Sequence, residues 1–234
     1  MSAFWALCWR GSWTGTDTEG TWEPRPLWTH EAPPCFYVVM SDTPSATPGD
    51  DPGHRGTPDL AATARWLETQ YGFVSNLAQT MAHAPGALLP WLNLEHYCRF
   101  QSDLTERQRI IIILIAVRDV HYCWPHYRPL AGTVGLSEDQ ISLIRQGRVP
   151  QDISEVEQLV CQITNEIVAG RRVPQAMYED IVKLLPPRQI VDIAILASFF
   201  LAMAALSTGL CVEVEAPEIL RQEQIHHKKA IGLA

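Results

Sequence analysis

Eight consecutive residues, Ile110 to Val117, are apolar, and they sit inside the longer segment LTERQRIIIILIAVRDVHYC, which opens with charged side chains. At about 3.6 residues per turn, an unbroken run of that length puts hydrocarbon on every side of a helix, so no face of it can meet water. The 104–121 segment is therefore expected at the centre of a helical domain, enclosed by other elements. With 47% hydrophobic residues in 234, the chain has enough apolar side chains to build that enclosure as one domain.

The surrounding sequence reads as helix after helix, about eight in all, with no run of alternating apolar and polar residues to suggest a sheet. Asp59 is a suitable N-cap for LAATARWLETQY, which Gly72 closes. VSNLAQTMAHAP is expected to stop at Pro85, and Pro90 falls in an early turn of GALLPWLNLEHYCRF or bends it. Ser102 or Asp103 is expected to cap the central helix. Ser137 and Ser154 precede SEDQISLIRQG and EVEQLVCQITNEIV, Pro174 opens a further helix, and Pro186 and Pro187 open the long RQIVDIAILASFFLAMAALSTG, ended by Gly209. The helical domain is expected over 58–222, with an extended VEVEAPE segment near its end and a solvated tail at 223–234 that carries His226 and His227.

Residues 1–57 differ in kind. They hold five of the eight tryptophans and stretches such as TPSATPGDDPGHRGTP, which lack periodicity and cannot form a core alone. Two readings stand: a mobile extension, even one upstream of a true start at Met40, or an arm whose Trp5, Trp9 and Trp13 line one helix face against the body or a partner chain.

A net charge of −8 repels phosphate backbones and anionic lipid over most of the surface, which argues against a nucleic-acid partner. Six scattered cysteines without a CxxC pair fit a reducing, cytoplasmic setting. The opening MSAFWALCWR lacks a basic n-region, and the apolar run from Ile193 to Leu206 is shorter than the roughly 18 residues a bilayer needs, so no membrane association is expected. No P-loop, GxGxxG, EF-hand or HExxH pattern supports a phosphate, dinucleotide or metal cofactor, and none is expected.

Chemistry-bearing side chains crowd into one stretch: His121, Tyr122, Cys123, Trp124, His126 and Tyr127. If the stretch is helical, Cys123 and Tyr127 lie four apart on one face, with His126 flanking the same pocket. A helix N-terminus would lower the thiol pKa, and an imidazole could take its proton, which allows a Cys–His nucleophile. Alternatively His126 or His121 acts alone as general acid or base, and Cys123 is an inert wall. Cys98, Cys161 and Cys211 read as core residues, His96 as a surface residue that could also face the site, and Trp124 as a pocket wall.

In register, Tyr122, Trp124, Ala131, Gly135, Leu136 and Ser137, preceded by the buried Leu-plus-charge helix, resemble the core hairpin of the carboxymuconolactone decarboxylase family, which includes AhpD-like alkylhydroperoxidases. Asn76, the Ala84-Pro85 pair and the long helix ending at Gly209 extend the resemblance over roughly residues 60 to 220. It implies an all-α, AhpD-like homo-oligomer, with the long helix from Arg188 to Thr208 and the N-terminal arm as interface candidates. The departures are specific. The redox pair of the family falls on Val120 and Cys123 and its following histidine on Tyr127, so no local disulfide can form. The glutamate near the start of the buried helix has only Gln108, Ile110 and Glu106 as counterparts, so the usual proton-relay carboxylate is expected to be missing.

The resemblance implies a cofactor-independent lyase or lactone-processing enzyme for a small carboxylated lactone, β-keto acid or polyketide-like substrate. His126 or His121 is its expected general acid/base, Tyr127 a donor to a developing oxyanion, and Cys123 nucleophile or wall, with Tyr122, Trp124, Gln108 and His96 as candidate substrate contacts. Two rivals are a thiol-dependent hydroperoxide reductase, in which Cys123 finds a distant resolving cysteine, and a non-catalytic oligomeric binding protein.

Overall fold

The computed structural model describes residues 59–232, which form ten α-helices, with no strand among the described residues. The expectations for residues 1–57 and the arm of Trp5, Trp9 and Trp13 lie outside the described residues. In chain order the helices are α1 (Leu60–Tyr71), α2 (Asn76–Met81), α3 (Pro85–His96), α4 (Glu106–Val117), α5 (Cys123–Thr133), α6 (Glu138–Arg145), α7 (Glu155–Val168), α8 (Gln175–Leu184), α9 (Pro187–Gly209) and α10 (Pro217–Ala230). The domain is all-α, as the periodicity implies.

Helix α4 is the axis. Every residue from Ile110 to Val117 is buried, and α9, α7 and α5 pack around it. Its start differs from expectation: Thr105 is the N-cap, accepting from Gln108 N while the Gln108 carboxamide accepts from Thr105 N at 2.9 Å, and this reciprocal pair outcompetes Ser102 and Asp103. The backbone N–H of Asp103 is taken instead by Asp192 on α9 at 2.7 Å. The helix ends at Val117 rather than running on to 121, and a turn leads into α5.

Two other expectations are revised by local geometry. Pro85 occupies the first turn of α3 rather than ending α2, Pro90 lies within α3, and the chain continues as one π-helical turn, Tyr97–Gln101, which buries Cys98 and Arg99. Helix α9 has 23 residues and contains an 18-residue stretch of mean hydropathy 2.2, so by length and composition alone the helix, longer than the Ile193–Leu206 run, can cross a membrane. Half of its apolar window is buried inside the domain, and buried Asp192 on it also accepts from the Tyr97 hydroxyl at 2.5 Å, which marks a core helix.

The largest difference lies at the C-terminal end. Residues read as a short extended segment and a solvated tail dock onto the domain, with α10 packed on α5 and α1. Ile219, Glu223 and His227 recur every four residues on its inner side, and Glu223 and His227 are buried. A main core around α4 and a smaller one of Leu67, Tyr71, Phe73, Ala78, Leu88 and Leu92 therefore meet beneath α10.

Candidate functional site

Helix α5 supplies the centre of the site. Gly135, in the left-handed region at φ 76°, ends it with Leu136 N bonded back to Ala131 O, and Ser137 then caps α6. That pair of turns fixes α5 against α4 so that Cys123, His126, Tyr127, Leu130 and Ala131 face inward.

Both ring nitrogens of buried His126 face carboxylates: Nε2 lies 2.7 Å from Glu215 Oε2, and Nδ1 lies 2.6 Å from Glu223 Oε2. Burial by itself would lower the imidazole pKa. The two carboxylates outweigh it and push the pKa up to about 10, so His126 is an imidazolium donating both N–H groups. Burial works in the opposite sense on Glu215, but the His126 bond, with further bonds from Asn76 N at 2.7 Å and the Tyr122 hydroxyl at 2.9 Å, holds it below the usual carboxylate range.

The other Glu223 oxygen lies 3.6 Å from Arg99 Nη1 in the π-turn, and the same guanidinium lies 3.6 Å from Glu95 one turn back on α3. Burial raises the Glu95 carboxyl above its ordinary range against the opposing pull of Arg99, which favours the protonated acid. Arg99 also stands over the rings of Tyr71 at 5.0 Å and Tyr127 at 5.5 Å. Behind it, His227 Nδ1 lies 3.4 Å from Arg99 Nη2, and His227 Nε2 lies 2.9 Å from Glu106, so Arg99 is braced from both sides.

These groups border a cavity that, with the open solvent at its mouth included, encloses about 470 Å³. Glu95, Arg99, His126 and Glu223, with Tyr122 and Tyr127, form its polar wall; Leu67, Phe73 and Leu92 contribute apolar surface. It lies where the two hydrophobic cores meet. Phe73 stacks parallel to the His126 ring at 6.5 Å.

The candidates from the cluster separate here. His126, Tyr127 and Tyr122 line the cavity. His121 is exposed in the turn before α5, and Trp124 packs its ring under the Arg145 guanidinium at 4.8 Å. Cys123 is completely buried outside the cavity lining, with its Sγ 3.8 Å from Ser207 Oγ. Burial pushes its thiol up to about 12, opposite to the expected lowering by a helix N-terminus, and His126 has no free nitrogen to take its proton. Gln108 is spent on the cap of α4. His96 packs against Trp66 and Phe100 away from the cavity lining, and burial followed by Arg99 lowers its pKa.

The carboxylates of the site are supplied from elsewhere in the chain than the start of α4. Glu215 and Glu223 come from the C-terminal segment, and Glu95 with Arg99 from α3 and the π-turn, whereas Glu106 at the start of α4 pairs with His227 and Arg109. Their signals were the i, i+4 pair Glu95 and Arg99 and the four-residue spacing of Ile219, Glu223 and His227. Among the described residues no group of three His, Cys, Asp or Glu side chains is arranged to hold a metal ion.

No family model matches the sequence, and no curated protein does either. Solved structures do match. An uncharacterized peroxidase-related protein of the alkylhydroperoxidase AhpD core type from Ralstonia eutropha JMP134 is 18% identical, with a TM-score of 0.58 over 72% of this chain and 95% of that one. A peroxidase-related protein from Silicibacter sp. TM1040 is 16% identical, with a TM-score of 0.59 over 80% and 99%. The debrominase Bmp8, in complex with 2,3,4-tribromopyrrole, is 14% identical, with a TM-score of 0.57 over 73% and 92%. The described domain has the AhpD-like helical fold.

Proposed function

We propose that the domain is a cofactor-independent acid/base enzyme that decarboxylates, or opens the lactone ring of, a small carboxylated substrate. One observation carries this reading: the cavity wall is built of carboxyl, imidazolium and phenol groups, while the Cys123 thiol is sealed away from it. Proton chemistry is therefore available at the cavity and thiol chemistry is not.

The roles follow from the environments. His126 was the expected proton carrier, but with both N–H groups held by carboxylates it has no lone pair to offer. It acts instead as a fixed cation that keeps Glu215 ionised. Glu95, whose carboxyl burial shifts toward the protonated acid, is the proton donor facing the substrate. In decarboxylation of a β-keto acid, the bond from the α-carbon to the carboxylate breaks and CO2 leaves. The electron pair moves to the carbonyl oxygen, where Tyr127 donates a hydrogen bond, and Glu95 then delivers its proton to the α-carbon and is reprotonated from water.

A panel of carboxylated γ-lactones and β-keto acids, followed by CO2 release and NMR, tests the reading on the full chain. Glu95→Gln is expected to lower turnover by about two to four orders of magnitude, while Cys123→Ala stays close to the parent. Hydroperoxide reduction with a thiol reductant, abolished in Cys123→Ala, would overturn it in favour of the thiol peroxidase.

A further inference from the structure

Two buried side-chain polar atoms have no hydrogen-bond partner among the described residues: the Tyr71 hydroxyl and His96 Nδ1. An unpaired buried polar atom keeps the full cost of leaving water, so each needs a physical reason to exist. Tyr71 lines the cavity and His96 does not. Tyr71 is the last residue of α1, 6% exposed, and Gly72 follows it in the left-handed region at φ 86°, turning the chain sharply so that Tyr71 and Phe73 both reach the cavity.

The surroundings of the Tyr71 hydroxyl single out a ligand chemistry. The Arg99 guanidinium stands over the Tyr71 ring at 5.0 Å and over the Tyr127 ring at 5.5 Å, so two phenols flank one cation at the border of one cavity. Tyr122, the third phenol there, differs because its hydroxyl is committed to Glu215. Burial holds the Tyr71 phenol far above its ordinary value and does the same to Tyr127, so both remain O–H donors. A ligand oxygen gaining negative charge would satisfy both donors, with the Arg99 cation close by.

We propose that Tyr71 and Tyr127 together form a paired donor site for a single ligand oxygen that gains negative charge, which makes the substrate class a β-keto acid whose ketone oxygen becomes an enolate. This rests on the acid/base reading above and narrows it: a ketone β to the carboxylate is required, and Tyr71 is a catalytic residue alongside Tyr127. No proton leaves either phenol; each strengthens its hydrogen bond as the carbon–carboxylate electron pair arrives on the oxygen.

The test uses 4-nitrophenolate, a stable oxyanion, titrated into the full chain, with thermal unfolding measured in parallel. Tyr71→Phe is expected to bind the probe about tenfold more weakly, which corresponds to about 1.4 kcal/mol, with no fall in Tm because the hydroxyl it removes has no partner in the folded protein. Tyr127→Phe is expected to weaken binding comparably. Absence of saturable binding to the parent chain, equal affinity in Tyr71→Phe, or loss of folding in that variant would each overturn the proposal. Phenolate binding that needs both hydroxyls, without turnover of any β-keto acid, would retire the decarboxylase reading and leave the donor pair standing. Turnover of a β-keto acid with kcat unchanged in Tyr71→Phe would do the reverse.

Discussion

An imidazolium held by two carboxylates makes the fold sensitive to mild alkali. The His126 pKa rises from 6.5 to about 10 on folding, so the folded chain keeps a proton that the unfolded chain releases above pH 6.5. A group raised in this way contributes its full stabilisation below pH 6.5 and loses it as the pH climbs through the folded value. Between 6.5 and 9, where the free thiols begin to titrate, His126 dominates; His96, whose folded pKa is lowered, acts only on the acid side. One proton at about 1.36 kcal/mol per pH unit amounts to a loss of about 3 kcal/mol over that window, a large share of a typical domain stability of about 5–15 kcal/mol. Urea unfolding followed by circular dichroism at a series of pH values measures it. The slope should vanish in the double variant His126→Gln, Glu223→Gln, which replaces the charged pair with neutral amides of similar shape. A parent chain equally stable at pH 6.5 and 9 would show that His126 is neutral in the folded state and that the reasoning is wrong.

Ile112→Ala, at a fully buried position on α4, should cost about 2–4 kcal/mol through lost transfer energy and the cavity left behind, read as a shift in the urea midpoint. Self-association is also expected, because exposed Val191 and Leu201 share a face of α9 with Ala194, Ser198 and Ala205. Light scattering of the parent should give a multiple of 26.3 kDa that falls in Leu201→Glu; a monomer at micromolar concentration would exclude it.

What could be read from the chain without its structure was whatever depends on neighbours in sequence. The burial of α4 followed from eight adjacent apolar residues, and the caps at Asp59, Ser137 and Ser154 from side chains placed within three residues of the N–H groups they satisfy. The inward face of α5 followed from spacing as well, so His126 and Tyr127 were found. The partners of His126 were not, since Glu215 and Glu223 lie 89 and 97 residues further on. An acidic residue in a charged segment looks solvated until a buried cation is known to wait for it, and residues 223–234, with their lysines, read as a solvated tail. Of the two readings of Cys123, the activated thiol rests on a helix N-terminus visible in sequence, whereas the burial that pushes the thiol up is a property of the packed domain.

Glu215 joins distant parts of the chain, bonding Asn76 N at the start of α2, Tyr122 and His126 with a single carboxylate. During synthesis, every helix from α1 to α9 emerges before that residue does. Until it and Glu223 follow, the His126 ring lacks both anions that hold its charge, and the entrance to α2 lacks the acceptor for its first amide. Nascent chains that stop before Glu223 therefore carry the scaffold without the charge pattern of the cavity, and the site assembles only as α10 docks.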